Sequence, residues 1–202
     1  MQWAFKHILV TFALLSIIEA GSRSHTLGLP QAHHGAQTRV ASSPSILVNS
    51  AQFRVSCPLV WKSTLELSAQ IPLSLVITNR GSTPTRYALM DTLQILMSDE
   101  AGRPLQVGGG RNRTRPGLSI SPVVPPGHSY TLTRTVHLRQ HAPDRISLTG
   151  DDGFGGVWTV ADLRPGKYRL SIKYKVGPDN AAPGHDCWQG TAQTPSVTIT
   201  VR

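Results

Sequence analysis

Between residues 167 and 176, Tyr168, Leu170, Ile172, Tyr174 and Val176 alternate one for one with Lys167, Arg169, Ser171, Lys173 and Lys175. Successive side chains of a strand point to opposite faces, so this period of two makes one apolar face and one wet face. On a helix the same residues would scatter around the axis. The period recurs where Leu73, Leu75 and Ile77 alternate with Ser74, Val76 and Thr78. It recurs again where Tyr130, Leu132, Val136 and Leu138 share a face that Arg134 interrupts, opposite Thr131, Thr133, Thr135 and His137. Val197, Ile199 and Val201 repeat it against Ser196, Thr198, Thr200 and Arg202. No window of comparable length offers a helical stripe.

Turn signals separate these runs: Asn79-Arg80-Gly81-Ser82, Asp99-Glu100-Ala101-Gly102, Pro125-Pro126-Gly127 and Arg164-Pro165-Gly166. Glycine supplies positive φ and proline presets its own φ, so each cluster turns the chain for a stated reason. The composition agrees, with 18 Gly, 15 Pro and only 15% charged residues. Helical bundles and coiled coils are richer in charge and poorer in both punctuators. Strands are predicted at 45–56, 64–78, 84–97, 103–107, 117–123, 128–138, 156–161, 167–176 and 195–202. Many short half-buried strands predict an all-β, antiparallel two-sheet sandwich over residues 45–202.

What precedes that block is different. Lys6 stands before an apolar run from Ile8 to Ile18, and Ala20-Gly21-Ser22 supplies small residues at cleavage spacing. This is the layout of a secretory signal peptide, predicted over residues 1–22, and the run is too short to span a bilayer. Residues 23–44, with His25, His33 and His34 among Gly, Ser, Pro and Gln, predict a disordered linker. The expected location is secreted or periplasmic, with no transmembrane segment. In such a compartment the two cysteines, Cys57 and Cys187, are expected either to pair as a disulfide or to stand as two separate buried thiols.

A search for chemistry finds little. There is no Gly-x-Ser-x-Gly elbow, no His-Glu-x-x-His pair and no phosphate-binding loop. His185 precedes Cys187 by two residues, too slight a basis for a catalytic pair. No catalytic residue, cofactor or metal is assigned. Asp151 and Asp152 between glycines offer either a solvated turn or oxygen ligands for calcium, although calcium loops usually space their carboxylates by two. The net charge is +9. Arg111, Arg113 and Arg115 crowd one glycine-bounded loop, and Lys167, Arg169, Lys173 and Lys175 line one strand face. Such a field favours a protein or an anionic envelope surface as partner. Nucleic acid is not expected, because the basic loop lacks aromatic residues for stacking.

Two resemblances add to this. Asp162-Leu163-Arg164-Pro165-Gly166-Lys167-Tyr168-Arg169-Leu170 resembles the tyrosine corner of immunoglobulin-like domains, with Tyr168 as the structural tyrosine and Leu170 where many carry a cysteine. Ile71 to Gly81, the Gly166–Leu170 run, Cys187-Trp188-Gln189-Gly190 and Ser196 to Val201 look like strands of bacterial extracellular immunoglobulin-like domains. The resemblance covers the last 130 or so residues and implies a fold, not a chemistry. Gly153-Phe154-Gly155-Gly156 is similar to the central loop of chagasin-type inhibitors of cysteine proteases. Their wedge also needs a loop such as Asn79–Thr85 and an Arg-Pro-aromatic element, and Val176-Gly177-Pro178-Asp179 stands where that element belongs. The expected function is an exported, non-enzymatic binding or structural module; the alternative is a loop-wedge inhibitor. Arg111, Arg113, Arg115, Gly153, Gly155 and Gly156 are the candidate contact residues.

Overall fold

The structure is a computed structural model that describes residues 39–62, 65, 68–89, 92–110, 121–151, 156–177 and 187–202. The expected signal peptide and residues 23–38 of the expected linker lie outside them, as do Arg111, Arg113, Arg115, Gly153 and Gly155. The described residues contain strands and no helix, hence no helix long and apolar enough to cross a membrane.

The larger sheet contains β1 (Val40–Ser42), β2 (Ile46–Val48), β3 (Ala51–Pro58), β5 (Ala69–Asn79), β8 (Gly108–Gly110), β10 (Ser129–Ala142), β11 (Arg145–Asp151) and β12 (Val157–Leu163). Its order is β1-β3-β5-β10-β11-β12-β8, with β2 also paired to β3. The smaller sheet holds β4 (Val60–Trp61), β7 (Leu93–Asp99), β13 (Gly166–Val176), β14 (Gly190–Gln193) and β15 (Val197–Val201). There β13 is central: β7 lies along one edge, and β14 and β15 follow one another along the opposite edge. β15 also takes β4 as a parallel neighbour, whereas the other strand pairings are antiparallel. A two-residue pair, β6 (Thr85–Arg86) with β9 (Val123–Val124), stands apart.

The inner faces of both sheets share one apolar core. The alternation of Leu73, Leu75 and Ile77 puts all three inside, as does that of Leu170, Ile172 and Tyr174. Phe53 of the larger sheet meets Tyr174 of the smaller at 5.5 Å between ring centroids, and Trp188 joins both at 5.2 and 5.4 Å. Burying each such side chain contributes about 1.5–3 kcal/mol before the cost of ordering it. The arrangement fits a β-sandwich.

Several boundaries depart from the sequence expectation. The linker expected to run to residue 44 is strand at Val40–Ser42, because β1 adds to the exposed edge of β3 through Val40↔Pro58 and Ser42↔Ser56. The single strand expected at 45–56 is a hairpin, β2 to β3, turning at Asn49 (φ 46°) and Ser50 (φ 61°). Two consecutive positive φ values make the two-residue turn whose twist suits antiparallel strands. The strand expected at 84–97 is two strands, β6 at Thr85–Arg86 and β7 from Leu93, and residues 103–107 make one bridge, Ser98↔Pro104, in place of a strand.

Candidate functional site

Tyr168 is buried at the start of β13, and its hydroxyl donates to the Arg164 carbonyl at 2.7 Å and accepts from the Arg164 N–H at 3.2 Å. The bond ties the turn before β13 to the strand itself. Its role is structural.

The cysteines do not form a disulfide. Cys57 lies in the core at the far end of β3, opposite Ala41. Cys187 bridges to Arg86, and its neighbour Trp188 packs edge to face with Phe53. Phe53 and Cys57 are four residues apart on one strand, about 13 Å. A disulfide needs Cα atoms within about 7 Å. An even count and an expected oxidising compartment say nothing of this placement, because pairing depends on which end of a strand each cysteine occupies. Burial pushes the Cys57 thiol up to about 11. Burial, with the Cys187 sulfur adding to it, raises Tyr87 to about 12 and Tyr174 further in the same direction.

Of the candidate loop residues only Gly156 is described, and it is buried beside the start of β12. Gly150 pairs with Val136, and Val136 pairs with Ile71, whereas Asn79 at the loop-bearing end of β5 lies next to Thr78, the partner of Ser129. The Gly150↔Val136 pair therefore lies about seven residues, roughly 23 Å, from that end. At the end itself Thr83, Pro84 and Thr85 line a shallow pocket with Cys187, Trp188 and Gln189 of the segment before β14. The Trp188 N–H donates to the Arg86 carbonyl at 2.9 Å, and the Asn49 side-chain amide donates to the Gln189 carbonyl at 3.0 Å.

The surface feature the sequence did not disclose is the outer edge of β7. Alternate main-chain groups of a strand point to opposite edges. The Thr92 carbonyl accepts from the Lys175 N–H at 2.8 Å, so even-numbered residues turn toward β13. Odd-numbered ones turn away: the Met97 carbonyl accepts from the Leu105 N–H at 2.9 Å, and the Asp99 N–H donates to the Arg103 carbonyl at 3.0 Å. Those two bonds hold a return segment over the end of β7. The Arg103 N–H and guanidinium also bind the Asp99 carboxylate, at 2.8 and 2.6 Å, and hold it below the usual carboxylate range.

Each face of β7 is recessed. Outward, Gln94, Leu96 and Ser98 join Leu105, Val107 and Arg169 in lining a groove of about 500 Å³ with mixed polar and apolar walls. Ser171 forms part of it and is buried although it sits on the wet face of β13. Inward, Leu93 and Ile95 join Leu132, Ile172 and Trp158 around a small apolar recess between the sheets. Arg134, the residue that breaks the apolar face of β10, lines this recess with Asp151. Among the described residues no cluster of His, Cys, Asp and Glu could hold a metal ion. Two ion pairs are formed among them, Arg103–Asp99 and Lys167–Glu100.

No protein-family model matches the chain, and no curated protein matches its sequence.

Proposed function

We propose that this chain is an exported, non-enzymatic binding or structural module, immunoglobulin-like in fold, that presents a cationic β-surface to an anionic partner at the cell envelope or outside the cell. One observation carries the reading: the chain has a net charge of +9, and on the described strand framework Arg54, Arg80, Arg139, Arg145, Arg169 and Lys175 are exposed and enter neither described ion pair. Such a surface attracts polyanions over a Debye length of about 10 Å at 0.1 M salt. Arg54 and Arg80 share one shallow polar groove with Gln52, Thr78 and Ser129, and Arg80 Nε donates to Gln52 Oε1 at 2.6 Å. The immunoglobulin-like part of the proposal is supported by the antiparallel sheets and by the back-bonded Tyr168.

The test is retention on a heparin column. The protein binds at low salt and elutes as salt rises, and Arg54→Glu with Arg80→Glu moves elution to lower salt. Flow-through at low salt overturns the proposal. The loop-wedge alternative has in its favour the shallow pocket that Thr83, Pro84 and Thr85 of the Asn79–Thr85 loop share with Cys187, Trp188 and Gln189. Slowing of a papain-type protease by micromolar protein would favour it.

A further inference from the structure

We propose that the outer edge of β7 is a strand-addition site for an extended segment of a protein partner in which acidic residues alternate with apolar ones. This rests on the proposed binding module for an anionic partner and names where, and in what conformation, one such partner docks.

The main-chain groups supply the first part. Between Leu93 and Met97, the N–H and C=O of Leu93 and Ile95 and the N–H of Met97 point away from β13, and none of them bonds to another described residue. A row of such groups is a template for one more strand. The other edge strands are short or interrupted: β8 is three residues long and β14 four. β1 and β2 are interrupted at Ser43, whose N–H and hydroxyl both bond Val55. β12 breaks register between its bonds to Ile146 and Leu148, with Asp162 at φ 56°. β4 is two residues long. β7 pairs with β13 over seven consecutive residues, without bulge or proline, and Leu93 to Met97 includes no charge. A long, regular, uncharged edge is what sheet proteins normally avoid exposing.

The two recesses supply the second part. An added strand continues the alternation of its neighbour, so its side chains go alternately to the two faces. On the inner face they meet the apolar recess of Leu93, Ile95 and Trp158. On the outer face they meet the groove of Leu96, Ser98 and Arg169, with Lys173 next along β13. Arg169 and Lys173 enter no ion pair among the described residues, whereas Arg103 and Lys167 are committed to Asp99 and Glu100. Apolar residues thus suit one face of the guest strand and carboxylates the other. Charge also decides against a second copy of the chain, which would bring the same Arg169 and Lys173 and another +9 to the edge.

The test titrates the full chain with the synthetic peptide acetyl-(Val-Asp)4-amide and follows amide hydrogen exchange residue by residue. Binding is expected to slow exchange at Ile95 and Met97 at least tenfold. Replacing Asp by Lys in the peptide, or N-methylating the amides on its bonding edge, should abolish binding. Leu96→Asp, which places a like charge in the groove and leaves the core untouched, should weaken binding at least tenfold. No binding, protection confined to another strand, undiminished binding by Leu96→Asp, or self-association through β7 would each overturn the edge site. Heparin retention separates the two proposals: a retained protein that ignores the peptide loses only the edge site, and one that does neither loses both.

Discussion

At the scale of single residues, what matters is where a polar atom or a missing side chain is fixed by its surroundings. Tyr168 is such a residue, since its ring is buried and its hydroxyl both donates to and accepts from the Arg164 main chain. Tyr168→Phe keeps the ring and removes both bonds. A loss of about 1–2 kcal/mol is expected, read as a lowered urea midpoint at unchanged slope. Gly150 shows why a residue can mislead. In the sequence it heads a glycine-rich turn, yet it lies in β11, and a Cβ there would come within 2.4 Å of the Trp158 ring. The glycine is present because an indole lies against the backbone. Sequence alone cannot separate that use from a turn, because the tryptophan comes from the neighbouring strand. Arg134 was visible as a break in periodicity; the recess it lines needed two sheets to exist.

At the scale of elements, the long strands were legible and the short ones were not. Ten residues of strict alternation in β13 leave one interpretation, while two or three residues in β1, β4, β6 or β9 contain no period at all. The turn between β2 and β3 was missed because Asn49-Ser50 lacks the glycine that marks such turns, although both residues adopt positive φ. That turn makes its own prediction. Serine tolerates the left-handed region poorly and a β-branched residue worse. Ser50→Val should cost about 1 kcal/mol or more, and Ser50→Gly should cost little or add stability, as measured by thermal melting of the two variants side by side. The β7 edge was hidden for a different reason. Its sequence shows only an apolar run, and whether an edge is covered depends on strands distant in the sequence, such as β13, which pairs with β7 from Asp99↔Tyr168 to Leu93↔Tyr174.

Across the whole molecule, the absence of the expected cross-link shifts the burden of stability to the core. The two cysteines occupy distant parts of it, so reductant should leave the melting temperature unchanged. High pH should not. Cys57 titrates near 9 in an unfolded chain and near 11 when folded, because burial disfavours the thiolate. Below pH 9 both states keep the proton and stability is full. Between 9 and 11 the unfolded chain releases a proton that the folded one retains, so stability falls as pH rises. About 2 kcal/mol should be lost by pH 10.5, and Cys57→Ala should flatten that slope. Tyr87 and Tyr174, shifted the same way, extend the decline to higher pH.

The parallel contact between β4 and β15 has a kinetic consequence. Val60 and Trp61 find their strand partners only in Thr200 and Val201, and their carbonyl neighbours Leu59 and Trp61 accept from Thr200 and Arg202. Segments so distant along the chain close the same flank of the domain, and the entropy of that closure must be met before its contacts give anything back. The hairpins β10–β11 and β2–β3 can form early and locally, whereas the flank sealed by β15 should close late. Folding should therefore be slow, in milliseconds to seconds, with the last strand to dock acting as its latch.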